Sequence, residues 1–279
     1  MECRVKDLTI HYEEVGSGRP ILALHGTPLD HRHMLNDLEP IFIGRQGWRR
    51  IYPDLPGMGQ TKSAGWITNQ DHMLDIILSF IDTVAPSEPF VVAGTSYGGY
   101  VARGIVHHRP LQIVGLMLNV PAVETDPQKR KLPNHRVIHR DDDFLAALGP
   151  DEQDLPGILV TQSIELLQDF RSFFSPAGAI ADLEFLDRLD AHNSFSFEVD
   201  SLPQPFPAPT LITTGRFDHW CGYQEAYQLL DNYPRATFAV LDSAGHGLAG
   251  EKKTLFRALV SEWLDRVEEY TRTANRPQI

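Results

Sequence analysis

The chain has 279 residues, of which 42% are hydrophobic and 22% charged, and its formal net charge is -12. It is long enough to bury a substantial core as one large domain, with or without an insertion. The acidic balance argues against nucleic acid as the main partner. Neither a signal peptide nor a run of roughly 18 apolar residues is found, so we expect a cytoplasmic protein without a membrane partner.

The predicted elements alternate between strands and helices along most of the chain. In chain order they are strands at 9–15, 21–24 and 50–52, a helix at 70–84, a strand at 90–93, a helix at 100–107, and strands at 113–118, 210–214 and 237–241. Short apolar runs indicate the buried strands, and apolar residues at helical spacing indicate the helices. This alternation predicts an α/β fold with a mostly parallel central sheet and helices on both faces.

One long segment interrupts the alternation. Residues 123–205 contain charged runs and a helical pattern near 164–174, and a proline-rich LPQPFPAP follows at 202–209. Nothing in this segment resembles a central parallel strand. We therefore predict an inserted helical cap at 123–205, with the core formed by 1–122 and 206–279.

Ser96 lies in VVAGTSYGGY, where a predicted buried strand meets a predicted helix. A sharp turn from strand to helix needs residues without bulky side chains, and Gly94 and Gly98 supply them. The G-x-S-x-G pattern in this context predicts a nucleophile elbow that exposes the serine hydroxyl at the carboxyl end of the sheet. A glycine-rich turn with an incidental serine is the alternative.

A serine hydroxyl needs a general base, and the base needs an acid to orient it. Asp218 follows the predicted strand at 210–214, and His246 follows the strand at 237–241. The chain order Ser96, Asp218, His246 is typical of proteins with a nucleophile elbow of this kind, so we predict these three residues as a catalytic triad.

Other residues compete for two of these roles. His219 is an alternative base, and Glu124 or Asp126 is an alternative acid, since each follows a predicted strand. Asp242 could instead form a turn before His246.

Negative charge on the substrate oxygen needs hydrogen-bond donors aimed at it. The residue after the nucleophile, Tyr97, is predicted to offer its backbone N–H. The HGTP loop at 25–28 follows an earlier strand, and because Pro28 has no N–H, Thr27 is predicted as the second donor.

Five motifs occur in order along the chain: HGTP, DLPGMGQT, GTSYGG, GRFD and AGH. On these motifs the sequence resembles the α/β-hydrolase superfamily over essentially its whole length. The resemblance implies a capped hydrolase that uses Ser96, Asp218 and His246, requires no metal and no organic cofactor, and acts on a small molecule. Within the superfamily it is most similar to esterases and to carbon–carbon hydrolases of meta-cleavage products.

Differences from the motifs of other groups in the superfamily reduce the number of reactions that we expect. Haloalkane dehalogenases and epoxide hydrolases of this fold carry aspartate where this chain has Ser96. Prolyl aminopeptidases typically carry HGGPG, and the carbon–carbon hydrolases commonly have an aromatic residue after the histidine, where this chain has Gly247 and Leu248. A small to medium carboxylic ester is therefore the expected substrate; carbon–carbon cleavage and a non-catalytic binding role are the alternatives.

Several other residues have no predicted catalytic role but are candidates for the substrate pocket or for the surface. His25, Trp220 and Leu248 are candidate pocket residues, and Cys221 beside Trp220 could also line the pocket. His135 and His139 could share a helix face, but no third ligand accompanies them, so a solvated surface is expected rather than a metal site.

Overall fold

The computed structural model describes residues 1–274, and within them eight strands form one sheet. The strands are β1 (Glu2–Val5), β2 (Leu8–Gly16), β3 (Arg19–Leu24), β4 (Trp48–Pro53), β5 (Phe90–Thr95), β6 (Ile113–Asn119), β7 (Thr210–Gly215) and β8 (Ala236–Leu241). Their spatial order is β1-β2-β4-β3-β5-β6-β7-β8. The first two pairings, β1 with β2 and β2 with β4, are antiparallel, and the other five are parallel. The predicted mostly parallel sheet is confirmed.

Ten α-helices occur within the described residues. They are α1 (His31–Leu38), α2 (Gln70–Val84), α3 (Tyr97–His108), α4 (Asp142–Ala147), α5 (Ile164–Asp169), α6 (Ser175–Gly178), α7 (Leu183–Asp190), α8 (Gln224–Gln228), α9 (Leu248–Glu251) and α10 (Lys253–Ala274). The predicted helix at 70–84 has the bounds of α2, whereas β1, α1 and α10 were not predicted from the sequence. No helix in residues 1–274 combines the length and apolar character needed to cross a bilayer.

The two faces of the sheet are both covered, which explains why the central strands are apolar at almost every position. Along β3, Leu22 and Leu24 pack on the face that carries α2 and α3. Ile21 and Ala23, which alternate with them, pack on the opposite face with α1 and α10. Side chains of successive strand residues point to opposite faces, so a continuous apolar run is what a doubly covered strand needs.

The chain between β6 and β7, residues 120–209, is called here the β6–β7 segment. It contains α4 to α7, two short 3-10 turns and a π-helical turn at Phe170–Phe174, and its β structure is one isolated bridge between His139 and Thr161. This composition is consistent with the predicted helical insertion, whose boundaries at 123 and 205 stay a prediction. His135 and His139 lie outside helices, so they do not share a helix face.

Candidate active site

Ser96 stands between the end of β5 and the start of α3, in a backbone conformation that side chains rarely adopt. Its φ is 55° and its ψ is -117°. Gly94 and Gly98 make this turn possible, because a Cβ added to Gly94 would lie 2.3 Å from the Gly98 carbonyl oxygen and one added to Gly98 would lie 2.2 Å from the Leu24 carbonyl oxygen. Strained backbone of this kind costs on the order of 1–3 kcal/mol and is concentrated at functional sites.

Asp218 and His246 are brought together from the loops that follow β7 and β8. The His246 Nδ1 atom lies 3.0 Å from Asp218 Oδ2. The other carboxylate oxygen, Oδ1, accepts hydrogen bonds from the Trp220 and Cys221 amides at 2.9 and 3.0 Å. Because both oxygens are engaged and Asp218 is fully buried, the carboxylate is fixed in place and can hold the imidazole with Nδ1 protonated.

The charges of this pair reinforce one another. Burial alone would lower the pKa of His246, but the negative charge of Asp218 and the nearby Cys221 outweigh it and raise that pKa well above its usual value. Burial alone would raise the pKa of Asp218, but His246 and the two amide donors hold it below its usual value. The pair therefore favours the form in which the imidazole can carry a proton beside an ionised carboxylate.

Glu251 anchors the loop that carries His246. Its carboxylate accepts hydrogen bonds from the Gly245 amide at 2.6 Å and from the Val160 and Thr161 amides at 2.6 and 3.1 Å. One buried side chain thus joins the residue before His246 to the β6–β7 segment. Glu251 carries no local signal in the sequence, since two of its three partners, Val160 and Thr161, lie 91 and 90 residues away along the chain.

The loop after β3 lies directly against the elbow. A Cβ on Gly26 would come within 3.2 Å of the Ser96 Cβ, and the next residue, Thr27, lines the same cavity as Ser96. Tyr97 is the first residue of α3, so its amide N–H has no partner within the helix. Both predicted donor residues therefore lie beside the predicted nucleophile.

His25 supports this loop from inside the core. Its Nδ1 lies 2.9 Å from the Gly26 carbonyl oxygen, and its Nε2 accepts a hydrogen bond from the Leu55 amide at 3.0 Å. Burial lowers the pKa of His25 to about 4, so the ring is neutral, with Nδ1 donating to the carbonyl. His25 thus links the loop after β3 to the loop after β4.

Ser96 and His246 open into one cavity with a volume of about 420 Å³, called here the Ser96 cavity. Both the core and the β6–β7 segment contribute to its wall. It is lined by Thr27, Gln70, Ser96, Tyr97, Tyr100, Ala122, Thr125, Pro127, Arg130, Asp190, Asn193, Trp220, Cys221 and His246.

Several of the side chains that line the cavity are polar, and the sequence did not predict most of these as pocket residues. The Tyr97 hydroxyl donates to Gln70 Oε1 at 2.6 Å. Arg130 reaches three backbone carbonyls, those of Glu124, Thr125 and Trp220. In the sequence Arg130 is part of an ordinary charged run, and no local signal distinguishes it from solvated surface.

The candidate pocket residues separate into two groups. Trp220 lines the Ser96 cavity, and its ring centroid lies 4.9 Å from that of His246. Among the described residues, His25 and Leu248 do not contribute to the cavity wall; both are fully buried in the core. For Leu248 the reason is that it begins α9 and turns its side chain toward the face of the sheet that packs on α10.

The competing acid and base candidates are placed elsewhere. His219 packs against the rings of His135 and Trp220 rather than pairing with Asp218. Glu124 accepts a hydrogen bond from the Asp126 amide. Asp242 is exposed and accepts a hydrogen bond from the Ser243 hydroxyl.

Comparison with known proteins agrees with the fold. A model of the alpha/beta hydrolase family matches residues 21–258. The AB hydrolase superfamily protein YisY of Bacillus subtilis (strain 168) is 26% identical over 269 residues, covering 92% of this chain and 95% of that protein. A 2-hydroxy-6-oxononadienedioate/2-hydroxy-6-oxononatrienedioate hydrolase 2 of Pseudomonas putida is 23% identical, covering 92% of each chain.

Among solved structures, an alpha/beta superfamily hydrolase from Oenococcus oeni PSU-1 superposes with a TM-score of 0.87 at 27% identity, covering 96% of this chain and 99% of that one. The family model spans most of the sheet and the loops that carry Ser96, Asp218 and His246. The chain therefore belongs to the alpha/beta hydrolase family.

Proposed function

We propose that the protein is a serine hydrolase that cleaves small to medium carboxylic esters through an acyl-enzyme on Ser96. The observation that carries this proposal is the buried pair of His246 and Asp218, 3.0 Å apart, which opens into the same cavity as the strained Ser96. Nucleophilic acyl transfer needs a general base fixed in one tautomer and an exposed hydroxyl. The His246 imidazole and the Ser96 hydroxyl are candidates for these two parts.

In the first half of the reaction Ser96 Oγ attacks the ester carbonyl carbon while His246 Nε2 takes the hydroxyl proton. Asp218 keeps the other ring nitrogen protonated and stabilises the imidazolium. The Thr27 and Tyr97 amides donate to the negatively charged oxygen of the tetrahedral intermediate. The intermediate collapses, His246 gives its proton to the departing alcohol, and the acyl group stays on Ser96.

In the second half His246 removes a proton from water, which attacks the acyl-enzyme carbonyl. The same two amides hold the second oxyanion, and Ser96 recovers its proton as the carboxylic acid leaves. We propose that residues 123–205 act as the cap in this cycle, because side chains such as Arg130, Asp190 and Asn193 line the same cavity as Ser96. A wall built partly from an insertion is a common way to size a pocket.

The test is hydrolysis of p-nitrophenyl esters from acetate to laurate, with an initial burst of nitrophenol as the sign of an acyl-enzyme. Ser96→Ala is expected to lower kcat by at least about 10⁴-fold, because the nucleophile and base act as a unit. Ser79→Ala is the matched control, since Ser79 lies on α2 and its hydroxyl donates to the Asp75 carbonyl, away from the cavity. Turnover by folded Ser96→Ala at the wild-type rate would contradict the proposal.

Carbon–carbon bond hydrolysis is the second candidate, favoured by the Pseudomonas putida relative that covers 92% of both chains. Such a reaction would begin with ketonisation of a coloured dienol, which is followed by the loss of its absorbance. Ester turnover without any dienol turnover would favour the first candidate, and the reverse result would favour the second.

A further inference from the structure

Three side chains able to bind a metal lie close together, and two of them, Cys221 and His246, line the Ser96 cavity. The ligand atoms of Asp218, Cys221 and His246 all lie within 4.8 Å of one another. The Cys221 amide is already tied to Asp218 at 3.0 Å, so the turn after β7 holds the thiol next to the carboxylate. The proposed ester hydrolysis uses the carboxylate and the imidazole but gives the thiol no task.

Cys221 is 8% exposed and lines the cavity, so its sulfur is shielded from bulk solvent yet reachable from the substrate side. The other cysteine, Cys3, lies in β1 and packs in the core cluster on the α2 face of the sheet. The two free thiols therefore differ in surroundings: one stands beside an imidazole and a carboxylate, and the other among apolar side chains.

We propose that Asp218, Cys221 and His246 form an inhibitory site for a divalent cation of the zinc type. Thiolate sulfur, imidazole nitrogen and carboxylate oxygen are the donors that zinc takes in proteins, and three protein ligands leave a fourth position open to the cavity. Calcium and magnesium prefer sites made of oxygen ligands, so the sulfur and nitrogen donors select against them.

The bound cation replaces the proton that lies between His246 Nδ1 and Asp218 Oδ2. Bonds form from the metal to Nδ1, to Oδ2 and to the Cys221 sulfur, and the thiol proton passes to solvent. The imidazole stays neutral, with its single proton now on Nε2. In that form Nε2 is a donor and cannot take the Ser96 proton, so the metal acts as an inhibitor and turnover itself is expected to need no metal.

A second group with three possible ligands occurs among the described residues: His11, His31 and Asp54. In this group Asp54 Oδ1 accepts from the His31 ring and amide at 2.7 and 2.8 Å, and Oδ2 accepts from the His11 ring and the Gln60 amide at 3.0 and 2.8 Å. These bonds explain the cluster as a structural link between the loop after β4 and its neighbours. This second group contains no sulfur, so Co²⁺ bound there would show no thiolate-to-metal charge-transfer band.

The direct test is titration of the wild-type protein with Co²⁺, which reports sulfur ligation by a thiolate-to-metal charge-transfer band in the near ultraviolet. One equivalent of Co²⁺ is expected to produce the band, and Cys221→Ser and Cys221→Ala are both expected to abolish it. Cys3→Ser is the matched control and should keep it. Absence of the band in the wild type, or its loss in Cys3→Ser with retention in Cys221→Ser, would overturn the inference.

The consequence for activity is tested by inhibition of p-nitrophenyl ester hydrolysis with Zn²⁺ and its reversal by EDTA. Cys221→Ser is expected to raise the half-inhibitory concentration by more than about 100-fold, since even partners outside the ligand set are worth about 10- to 100-fold in metal affinity. Equal inhibition of the wild type and both Cys221 variants would overturn the proposal.

The two experiments separate this inference from the proposed function. The cobalt spectrum needs no turnover, so it tests the metal site even in a protein that hydrolyses no ester. Ester hydrolysis that proceeds unchanged in millimolar Zn²⁺ would overturn the metal site and leave the acyl-enzyme proposal intact.

Discussion

Asp218 shows how much of the candidate site depends on one side chain. It is fully buried, pairs with His246 through one oxygen, and accepts two backbone N–H groups through the other. A buried carboxylate is costly unless its charge is paired and its lone pairs are used, and here both conditions hold. The same residue therefore shapes the turn at 218–221 and orients the imidazole.

Replacing Asp218 by asparagine is expected to lower kcat/KM for ester hydrolysis by about 10³- to 10⁴-fold. The amide can present N–H to Nδ1, which favours the wrong imidazole tautomer while keeping the size of the side chain. Asp242→Asn is the matched control, because Asp242 is exposed and bonds only to Ser243. Steady-state kinetics on both variants checks this, and equal losses in the two would contradict it.

The pH dependence of kcat/KM follows from the same pair. His246 must be neutral to accept the Ser96 proton, and its pKa lies above the usual 6.5 because the charge of Asp218 outweighs burial. We expect kcat/KM to be low at acidic pH and to rise to a plateau with an apparent pKa above 6.5. In Asp218→Asn the attraction is gone, so the acidic limb should move to lower pH; a limb that stays in place would contradict this assignment.

At the scale of elements, α3 has two tasks. Its first residue offers the Tyr97 amide beside Ser96, and one of its faces holds the returning end of the β6–β7 segment. Tyr100 accepts the Phe195 amide at 2.6 Å and stacks on its ring, and His107 contacts the Phe197 ring. The residues of this face are Tyr97, Tyr100, Arg103 and His107, whose spacing of three and four places them in one row along the helix.

Arg103 is the fully buried member of this row and binds both ends of the β6–β7 segment. Its guanidinium donates to Asp200 Oδ2 at 2.5 Å and to the Ala122 and Val123 carbonyls at 3.0 and 3.3 Å. Arg103→Met is expected to lower the free energy of unfolding by about 2–4 kcal/mol, because the carbonyls and the partly buried Asp200 lose their partner. Urea denaturation measures this loss.

Arg109→Met is the control for that measurement. Arg109 follows the same helix and pairs with Asp82 at the surface, where the Asp82 side chain is 60% exposed. Such an ion pair is worth about 1 kcal/mol or less. If the two variants lose equal stability, Arg103 does not have the anchoring role assigned to it.

At the scale of the whole molecule, the Ser96 cavity exists only because the β6–β7 segment folds back over the carboxyl end of the sheet. Core residues such as Gln70 and Tyr97 form one wall, and Arg130, Asp190 and Asn193 form another. A cavity of about 420 Å³ limits the length of the alkyl chain that can be buried in it.

We therefore expect kcat/KM for p-nitrophenyl esters to peak at a short acyl chain and to fall before laurate. The cavity of about 420 Å³ sets the upper limit of size, and each methylene that no longer fits inside it loses the usual gain of about 0.8 kcal/mol for burial. The chain-length series itself is the measurement. A rate that climbs steadily to laurate would show that the acyl group binds elsewhere.

The sequence by itself determined the alternation of most of the strands and helices and the fold class, and it predicted the sharp turn at Ser96. These features depend on local sequence. Apolar runs indicate buried strands, and the turn at Ser96 requires a glycine on each side of the serine. It also indicated Asp218 and His246, because parallel strands end at one edge of a sheet and the loops after neighbouring strands must meet there. The helix α10 was not predicted from the sequence, although its apolar face packs on the sheet.

Only the tertiary structure decided which side chains surround that pair. Arg130 and Cys221 line the cavity, whereas the equally plausible His25 and Leu248 lie in the core. The physical reason is that lining depends on how distant segments pack: Glu251 joins Gly245 to Val160, and Arg103 joins Asp200 to Ala122, contacts that span up to 97 residues of chain. Such contacts leave no periodic or local signal in the sequence, and they appear only when the chain is folded.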